Sequence, residues 1–250
     1  MIDDGWFGEE IAAAYDVEAS TMFEPAVIEP AVAFLAALAG DGPALELAIG
    51  TGRIALPLAE GGVPVAGIDL SNAMVARLRA KPGGDEASIP VAIGDIASTR
   101  VRGAGSFTLA YLVYNTITNL TTQDAQVDCF ANAALHLAPG GCFVIETFVP
   151  ALRRLPPGAR FVPFDVSDIH IGFDEYDVVS QGLVSHHVTF RDGSARLSSA
   201  PFRYVWPAEL DLMARLAGMR LRERWADWSR APFTDESPSH ISVWEKAGTG

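Results

Sequence analysis

Lysine is nearly absent from this chain: Lys81 and Lys246 are the only two in 250 residues. The arginines are scattered, and 31 acidic residues against 18 basic ones leave a net charge of −13 at pH 7. A chain this acidic, without a basic patch, repels phosphate backbones, so we expect no nucleic-acid partner. A small molecule is the expected partner, and the net charge favours a cationic one.

Cysteine is also scarce, with Cys129 and Cys142 as the only two. Two cysteines in so long a chain are typical of buried thiols in a reducing compartment. A disulfide between them is the less favoured alternative. No group of cysteines and histidines has the spacing of a zinc site, so we expect no metal.

Long apolar runs are missing as well, and none reaches the roughly 20 residues that a membrane-spanning helix needs. The first residues, 1–6, are acidic, whereas a secretory signal peptide begins with basic residues. We therefore expect a cytoplasmic protein without a membrane partner.

The chain does have ample material for a core, since 49% of its residues are hydrophobic. Its length fits one large domain or a domain with an insert. The most informative stretch of the sequence is 44–53. In it, an apolar run is followed by the turn Gly50-Thr51-Gly52 and then by a helical pattern. A strand, a glycine turn and a helix in this order present backbone N–H groups to a ligand.

Strand and helix patterns alternate through the first part of the chain. A helix at 25–38, ended by Gly40, comes first. Strands are then predicted at 44–48, 64–68, 89–93, 107–113 and 142–148, and helices at 53–60, 72–80 and 122–137. Such alternation is typical of a parallel sheet with right-handed crossovers. We expect an α/β fold with a doubly wound, mostly parallel sheet.

The alternation fails after the fifth strand. Residues 149–163 are rich in proline, and 165–206 read as extended antiparallel segments with a turn at Asp192-Gly193. The pattern then predicts a helix at 207–217 and strands at 219–228 and 240–245. We expect a small antiparallel β insert in an otherwise α/β chain.

Three carboxylates, Glu46, Asp69 and Asp95, lie near the ends of the first three predicted strands. The glycine turn also fits a dinucleotide site, which makes NAD an alternative ligand. Glu46 would lie near the pyrophosphate, and like charges about 4 Å apart repel by roughly 4 kcal/mol at an effective dielectric of 20. S-adenosylmethionine is cationic instead, and its ribose hydroxyls and adenine amino group can donate to Asp69 and Asp95.

Four motifs resemble those of class I S-adenosylmethionine-dependent methyltransferases. In chain order they are Glu46-x-Ala48-x-Gly50-Thr51-Gly52, Asp69-Leu70-Ser71 with Met74, Gly94-Asp95-Ile96, and Leu137-x-Pro139-Gly140-Gly141. The resemblance covers about residues 25–148 and resumes at the last helix and hairpin. It departs from the family at Ala48, where glycine is more common.

The resemblance implies a seven-stranded sheet whose last strand is antiparallel to the rest. It assigns the ribose to Asp69 and the adenine to Asp95, with Leu70 and Ile96 as apolar walls and the Leu112 carbonyl as acceptor for the methionyl amine. The cofactor would be S-adenosyl-L-methionine, released as S-adenosyl-L-homocysteine. The implied cofactor residues are Glu46, Ala48, Gly50, Gly52, Asp69, Leu70, Met74, Gly94, Asp95, Ile96 and Leu112.

The insert resembles that of small-molecule methyltransferases, including sugar N-methyltransferases, in which extra strands cover the pocket and often build a dimer. The resemblance thus implies a small-molecule acceptor in secondary metabolism and makes a homodimer through the insert a candidate assembly. An Asn/Asp-Pro-Pro-aromatic motif is absent after the fourth strand. Whether nitrogen, oxygen or carbon is methylated stays open.

The same resemblance divides the chain into two parts. Residues 1–148 and 207–250 would form the S-adenosylmethionine-binding methyltransferase domain, with 1–24 as an N-terminal cap. Residues 149–206 would form the insert that covers the substrate. Candidate substrate contacts are Asn115 and Asn119, which follow the fourth strand, and Met22 in the cap.

Methyl transfer needs a base only where the nucleophile carries a proton of inconvenient pKa. His170, which lies between two isoleucines in the insert, is the first candidate base, and His187 is the second. Tyr15 is a candidate donor or cation-facing ring. For each of these a packing or solvated role is the alternative. His240 is expected at the surface.

Two other functions compete with methyl transfer. An NAD-dependent oxidoreductase would bind NAD in place of S-adenosylmethionine. A non-catalytic module would bind S-adenosylmethionine without forming S-adenosylhomocysteine. Cofactor titration and product analysis distinguish the three.

Overall fold

The structure is a computed structural model that describes residues 6–18, 20–191 and 193–248. Among these residues, the α-helices are α1 Glu9–Glu18, α2 Pro25–Ala39, α3 Ala55–Glu60, α4 Asn72–Arg79, α5 Gln123–His136 and α6 Pro207–Leu216. The strands are β1 Ala44–Leu47, β2 Val65–Asp69, β3 Val91–Ile93, β4 Phe107–Leu112, β5 Leu137–Phe148, β6 Phe161–Val166, β7 His170–Asp177, β8 Gly182–Arg191, β9 Ser194–Arg203, β10 Met219–Trp225 and β11 Ser239–Lys246. Short 3₁₀ helices lie at Ser20–Phe23, Thr116–Asn119 and Leu152–Arg154.

The larger of two sheets has seven strands in the order β10-β11-β5-β4-β1-β2-β3. Strands β1 to β5 pair in parallel wherever they are neighbours. Strand β11 is antiparallel to both of its neighbours, β5 and β10. The expected doubly wound, mostly parallel seven-stranded sheet with an antiparallel last strand is therefore confirmed.

Helix ends follow local signals in the sequence. Pro25 occupies the first turn of α2, and Gly40, at a φ of 57°, ends it. Ser71 caps α4 by accepting the Met74 N–H, and Thr122 caps α5 in the same way. No helix in the described part of the chain combines the length and apolar content needed to cross a bilayer.

Strand β5 begins at Leu137, earlier than the sequence pattern indicates. Pro139, Gly140 and Gly141, which lie between the predicted helix at 122–137 and the predicted strand at 142–148, belong to β5. Leu137 pairs with Phe107 and Cys142 pairs with Leu109, so β5 carries extra residues between the two pairs. This irregularity is a bulge, and Gly140 permits it with a φ of 80°.

The insert forms a second, separate antiparallel sheet in the order β6-β7-β8-β9. Asp192, in the expected turn, lies outside the described residues. Pairing across the sheet aligns Asp174, Ser185 and Ala200 in one row, and His187 shares their face, whereas His186 faces the other way. We call the face that carries Ala200 the inner face, because Ala200 is buried there, and the opposite one the outer face.

Two apolar clusters cover the two sides of the larger sheet. His240 belongs to this packed region and is fully buried, so the surface expectation was wrong. Its Nδ1 lies 2.8 Å from Ser242 Oγ, and burial lowers its pKa to about 3. The error arose because β11 lies between two other strands, and strand order is not visible in the sequence of the strand itself.

Glu46 and Tyr111 face each other across β1 and β4, inside the core. They are register partners, and the Tyr111 hydroxyl donates to Glu46 Oε2 at 3.0 Å. Burial raises the pKa of Glu46 to about 8, and the hydrogen bond from Tyr111 offsets this only in part. The carboxyl is therefore largely protonated at neutral pH.

Replacing this carboxyl, Glu46→Gln, should remove a pH dependence of stability. Because its pKa rises on folding, from 4.5 to about 8, the native state binds a proton that the unfolded chain has lost. The free energy of unfolding should then fall as pH rises through that interval, by about 1.4 kcal/mol per unit of pKa difference. Urea denaturation at a series of pH values measures this. The exposed Glu60→Gln variant should keep the wild-type slope, and equal slopes in wild type and Glu46→Gln would contradict the assignment.

Candidate active site

A cavity of about 320 Å³ lies where β1, β2 and β3 end. The N-terminal segment, the chain after β4 and strand β9 complete its walls. The site residues predicted from sequence that line it are Tyr15, Ala48, Gly50, Asp69, Leu70, Met74, Asp95, Ile96 and Asn119. The carboxyl edge of a parallel sheet is where open α/β folds bind ligands.

The turn after β1 is tight. Gly50 and Gly52 have φ values of 55° and 81°, and a Cβ on Gly52 would lie 2.4 Å from Leu78 Cδ1. Gly52 thus shapes the turn without lining the cavity. Ala48 is also left-handed, with a φ of 57°, a conformation that costs an alanine about 1–2 kcal/mol. This strain gives a physical reason for the family's preference for glycine there.

Asp69 joins the glycine turn to the start of α4. Its Oδ2 accepts the Gly50 N–H at 2.6 Å, and its Oδ1 accepts the Ser71 N–H at 2.8 Å. A carboxylate offers about four lone-pair positions, and these two bonds set the direction of the others. Asp69 is a rigidly held, nearly buried acceptor in the cavity wall, which fits a ribose diol.

Asp95, Ile96 and Leu70 form a slot beside this carboxylate. Asp95 is exposed, and its Oδ1 accepts the backbone N–H two residues on at 2.8 Å. Leu70 is 38% exposed although its side chain is large and apolar. Met74 closes the slot behind Gly50, with its Cε 3.4 Å from where a Gly50 Cβ would be. A flat apolar ring with one amino donor fits these walls.

Glu46, Gly94 and Leu112 do not line the cavity, although the sequence analysis assigned them to the cofactor. Because Glu46 lies in the core with a pKa of about 8, its charge does not discriminate between NAD and S-adenosylmethionine at pH 7. The argument from sequence that a charged Glu46 would repel the pyrophosphate of NAD was therefore wrong. The Leu112 side chain is fully buried, so only its backbone carbonyl remains for a ligand.

Aromatic residues of the N-terminal segment close the cavity on one side. Trp6, Phe7 and Tyr15 line it, and the Phe7 carbonyl accepts from Ser71 Oγ at 2.6 Å. The sequence analysis predicted a cap here but missed Trp6 and Phe7. The adjacent aromatics just before the first helix were the available signal.

The same segment is tied to the glycine turn. Asp16 Oδ1 accepts from Thr51 Oγ1 at 2.6 Å, and Asp16 Oδ2 lies 2.5 Å from Lys81 Nζ. Met22, predicted to contact the substrate, does not line the cavity. Its carbonyl instead accepts from Arg53 at 3.2 Å. The cap is therefore attached to the loop that it covers.

Tyr15 can donate a hydrogen bond but is a poor base. Its pKa is raised to about 12, mainly by burial and also by the neighbouring Tyr114, Asp16 and Asp69, while Arg53 lowers it. The hydroxyl is protonated at neutral pH.

The chain after β4 contributes Asn119 and Thr116 to the wall but not Asn115. Asn115 Oδ1 accepts the Phe148 N–H at 2.8 Å and so holds the end of β5. Tyr114 and Asn115 both have left-handed backbones, with φ values of 57° and 60°. Strain of this kind is concentrated near functional sites. The expected substrate contact by the Asn115 side chain is therefore not observed.

Strand β9 of the insert also lines the cavity. Ala200, Pro201 and Phe202 line it, close to Thr116 and Asn119. Phe202 alternates with Tyr204 and Trp206 in the sequence, a pattern that does not indicate which part of the strand lines a cavity.

The insert histidines are linked to one another. His170 Nδ1 lies 2.5 Å from Asp165 Oδ2, and His170 Nε2 lies 3.0 Å from His187 Nδ1. Both nitrogens of the first candidate base are thus engaged in hydrogen bonds. His187 Nε2 lies 3.4 Å from Ser185 Oγ, a long contact. His186 contacts Ser199 on the outer face.

Known proteins share both the cofactor motifs and the overall fold. A family model described as a methyltransferase domain matches residues 44–141. The solved CcbJ methyltransferase from Streptomyces caelestis is 36% identical, with 99% of this chain and 100% of that chain covered and a TM-score of 0.84. CalS10, an amino pentose methyltransferase from Micromonospora echinaspora, is 19% identical, with 88% and 90% covered and a TM-score of 0.64, and shows the fold alone.

A curated relative, the cypemycin N-terminal methyltransferase of Streptomyces sp, is 24% identical over 98% of this chain and 100% of its own. Similarity to known methyltransferases thus extends over the cap and the insert and is not limited to the cofactor motifs. With 36% identity to the CcbJ methyltransferase over essentially the whole length of both chains, this chain belongs to the class I S-adenosylmethionine-dependent methyltransferases.

Proposed function

We propose that this methyltransferase acts on an amine nitrogen of a small molecule in secondary metabolism. The observation that carries the proposal is the cavity at the carboxyl edge of the sheet, to whose walls both the cap and β9 contribute. A space of about 320 Å³ lies in the size range of small-molecule sites. The net charge of −13 disfavours nucleic acid and attracts cations such as a protonated amine.

Nitrogen is favoured over oxygen and carbon by the surroundings of the cavity and by one relative. Asp174, on the inner face, has the Ser185 hydroxyl and two histidines as neighbours, and burial raises its pKa. An ammonium ion nearby would favour the ionised form of this carboxyl. The curated relative of similar length is, by its name, an N-terminal methyltransferase.

The cofactor supplies a methyl carbon activated by a sulfonium. Asp69 would hold the ribose hydroxyls, Asp95 would accept from the adenine amino group, and Leu70 and Ile96 would pack on the ring. The Leu112 carbonyl would accept from the methionyl amine. Positioning of this kind can supply about 7–11 kcal/mol of the barrier reduction in well-oriented systems. The remaining residues shape the turn and the walls: Glu46, Ala48, Gly50, Gly52, Met74 and Gly94.

The acceptor would lie between the cap and the insert. Tyr15, which stays protonated, would donate to it or face its cation, and Asn119 would contact its polar groups. In the proposed division of the chain, residues 149–206 cover the substrate, and residues 1–148 and 207–250 bind the cofactor. Both cysteines are buried and free, which fits a reducing compartment such as the cytoplasm.

A second copy of the chain is the proposed partner of the insert's outer face. A row of apolar residues crosses all four strands on that face: Val166, Ile171, Val188 and Leu197. Val166 is 74% exposed and Leu197 is 63% exposed. Exposed apolar patches mark interaction surfaces, and two such faces can cover each other about a two-fold axis.

Asp69→Ala should weaken S-adenosylmethionine binding strongly. Charged hydrogen bonds are worth about 1.5–3 kcal/mol each, so the loss of two raises Kd by roughly 100-fold or more. Isothermal titration calorimetry measures this, and thermal unfolding checks that the fold is intact. The exposed Asp41→Ala variant should bind normally. Near-normal affinity in folded Asp69→Ala would remove the ribose assignment, and tighter binding of NAD than of S-adenosylmethionine would favour the oxidoreductase.

An amine should form S-adenosylhomocysteine where its blocked counterpart does not. We would test amino sugars, amino acid amides and short peptides, each paired with its N-acetyl form, and detect product by mass spectrometry. Turnover of the amine alone is expected. Methylation of the acetylated partners would indicate another acceptor atom. Cofactor binding without any product would favour the non-catalytic module.

Leu197→Glu should convert a dimer into a monomer. A carboxylate in the middle of an apolar interface must be desolvated without a partner, which disfavours association. Size-exclusion chromatography with light scattering measures the mass. Leu221→Glu, on an exposed leucine of β10 outside the insert, is the matched control and should remain dimeric. A monomeric wild-type protein would contradict the assembly.

A further inference from the structure

Three polar side chains on the inner face of the insert form a hydrogen-bonded chain, and a fourth lies near its end. The three distances are 2.5 Å from Asp165 to His170, 3.0 Å from His170 to His187 and 3.4 Å from His187 to Ser185. Strands β6, β7 and β8 each supply at least one member, so the sheet itself holds the geometry. We call Asp165, His170 and His187 the relay.

The direction of the hydrogen bonds follows from the carboxylate at one end. An ionised Asp165 can only accept, so His170 Nδ1 carries a proton and donates it. In a neutral ring, His170 Nε2 must then accept, and the donor is His187 Nδ1–H. His187 consequently has a bare lone pair on Nε2. A carboxylate that orients an imidazole in this way fixes its tautomer and stabilises its protonated form.

The Ser185 hydroxyl does not use up that lone pair. Its single proton is donated to Asp174, the register partner of Ser185 on β7. The contact of 3.4 Å from Ser185 Oγ to His187 Nε2 is long for a hydrogen bond of a hydroxyl. His187 Nε2 is therefore the end of the relay that is available to a ligand.

His187 does not itself line the cavity, but a neighbouring row of the sheet reaches it. Ser185 is paired with Ala200, and Ala200 lines the cavity. His187 lies two residues further along β8, about 7 Å at a rise of 3.3 Å per residue. Because its Nε2 is the nitrogen next to Ser185, the ring leans back toward the row that contains Ala200.

We infer that His187 Nε2 is the proton acceptor for the methyl-accepting amine, and that His170 and Asp165 are positioning residues that orient it. The inference rests on the proposed function and changes the ranking of the histidines. His170, the stronger candidate from sequence, has no bare nitrogen. His186 lies on the outer face, and Tyr15 is too weak an acid to act as a base at neutral pH.

The proton balance of the transfer is simple. A nitrogen–carbon bond forms and the methyl carbon–sulfur bond breaks, with its electron pair left on sulfur. An ammonium ion has no lone pair for this attack, so one proton must first leave the nitrogen. His187 Nε2 takes that proton, and Asp165 stabilises the resulting positive charge through His170. The proton later passes to solvent, which reaches the relay because Asp165 is 47% exposed.

The groups that shift the pKa of His187 are its own burial, His170 and Asp174 on β7, and His186 on β8. Asp165 on β6 contacts His170 and not His187. Arg196, on the same face of β9, pairs with Glu10 of α1 at 3.3 Å. Burial lowers the pKa of His187, and His170 lowers it further, whereas Asp174 raises it. The ring is therefore neutral near pH 7, as a base must be.

The first experiment needs no acceptor. Nitrogen NMR of isotope-labelled histidine, in protein saturated with S-adenosylhomocysteine, reports the tautomer and pKa of each ring. We expect His187 to carry its proton on Nδ1. The pKa of His187 should lie below its ordinary value, because the ring is partly buried. A His187 proton on Nε2, or a His187 pKa above the ordinary value, would overturn the relay whatever the enzyme methylates.

The second experiment uses the amine that gives the most S-adenosylhomocysteine in the acceptor panel. His187→Ala should lower kcat by roughly 10²–10⁴-fold, with the calorimetric Kd for S-adenosylmethionine unchanged. Asp165→Asn removes the charge that favours the imidazolium, so the acid limb of the kcat profile should move down by about one pH unit. His186→Ala, the neighbouring histidine on the outer face, should stay within about twofold of wild type.

Two outcomes separate this inference from the proposed function. If His187→Ala keeps the wild-type kcat and acid limb, the relay has no role in proton removal, although the enzyme is still an amine methyltransferase. If no amine is methylated while the expected tautomer and pKa pattern is found, the amine proposal is wrong and the hydrogen-bonded geometry stands.

Discussion

The carboxylate of Asp69 is the constraint on which the site depends. By accepting the Gly50 and Ser71 N–H groups, it ties the turn after β1 to the end of β2. Ser71 in turn caps α4 and donates to the Phe7 carbonyl, so the position of the cap follows from the same contacts. One buried acidic side chain thereby aligns the glycine turn, a helix start and the wall of the cavity. It does so while pointing into the space that a ribose would fill.

The scarcity of lysine makes the placement of the two lysines informative. Lys81 pairs with Asp16 and donates to the Thr51 carbonyl at 2.8 Å, so it joins the cap to the glycine turn. Lys246 donates to the Ala134 and Leu137 carbonyls at 2.7 Å each and satisfies the end of α5. Cations near a helix C-terminus also interact favourably with its dipole. In a chain of net charge −13, both lysines serve structure, which leaves the cavity acidic.

The errors of sequence analysis share one physical cause. Glu46 was read as a charged neighbour of the ligand, but its register partner Tyr111 and complete burial keep it in the core and raise its pKa. Asn115 was read as a substrate contact, but its side chain holds the end of β5. His240 was placed at the surface because the sequence of β11 does not reveal its neighbours. In each case the residue type and its strand were recognised, and a partner distant in sequence decided its role.

The sequence by itself determined the order of strands and helices, the glycine turn, the carboxylates at the strand ends and the family, because these depend on local patterns and short spacings. Only the tertiary structure decided which residues share a space. The pairing of β6, β7 and β8 brings Asp165, His170 and His187 into one hydrogen-bonded chain. The packing of β9 and the cap over the sheet sets the shape of the cavity. Strand register and packing arise from contacts between distant segments, and a shift of one residue would turn His187 to the outer face.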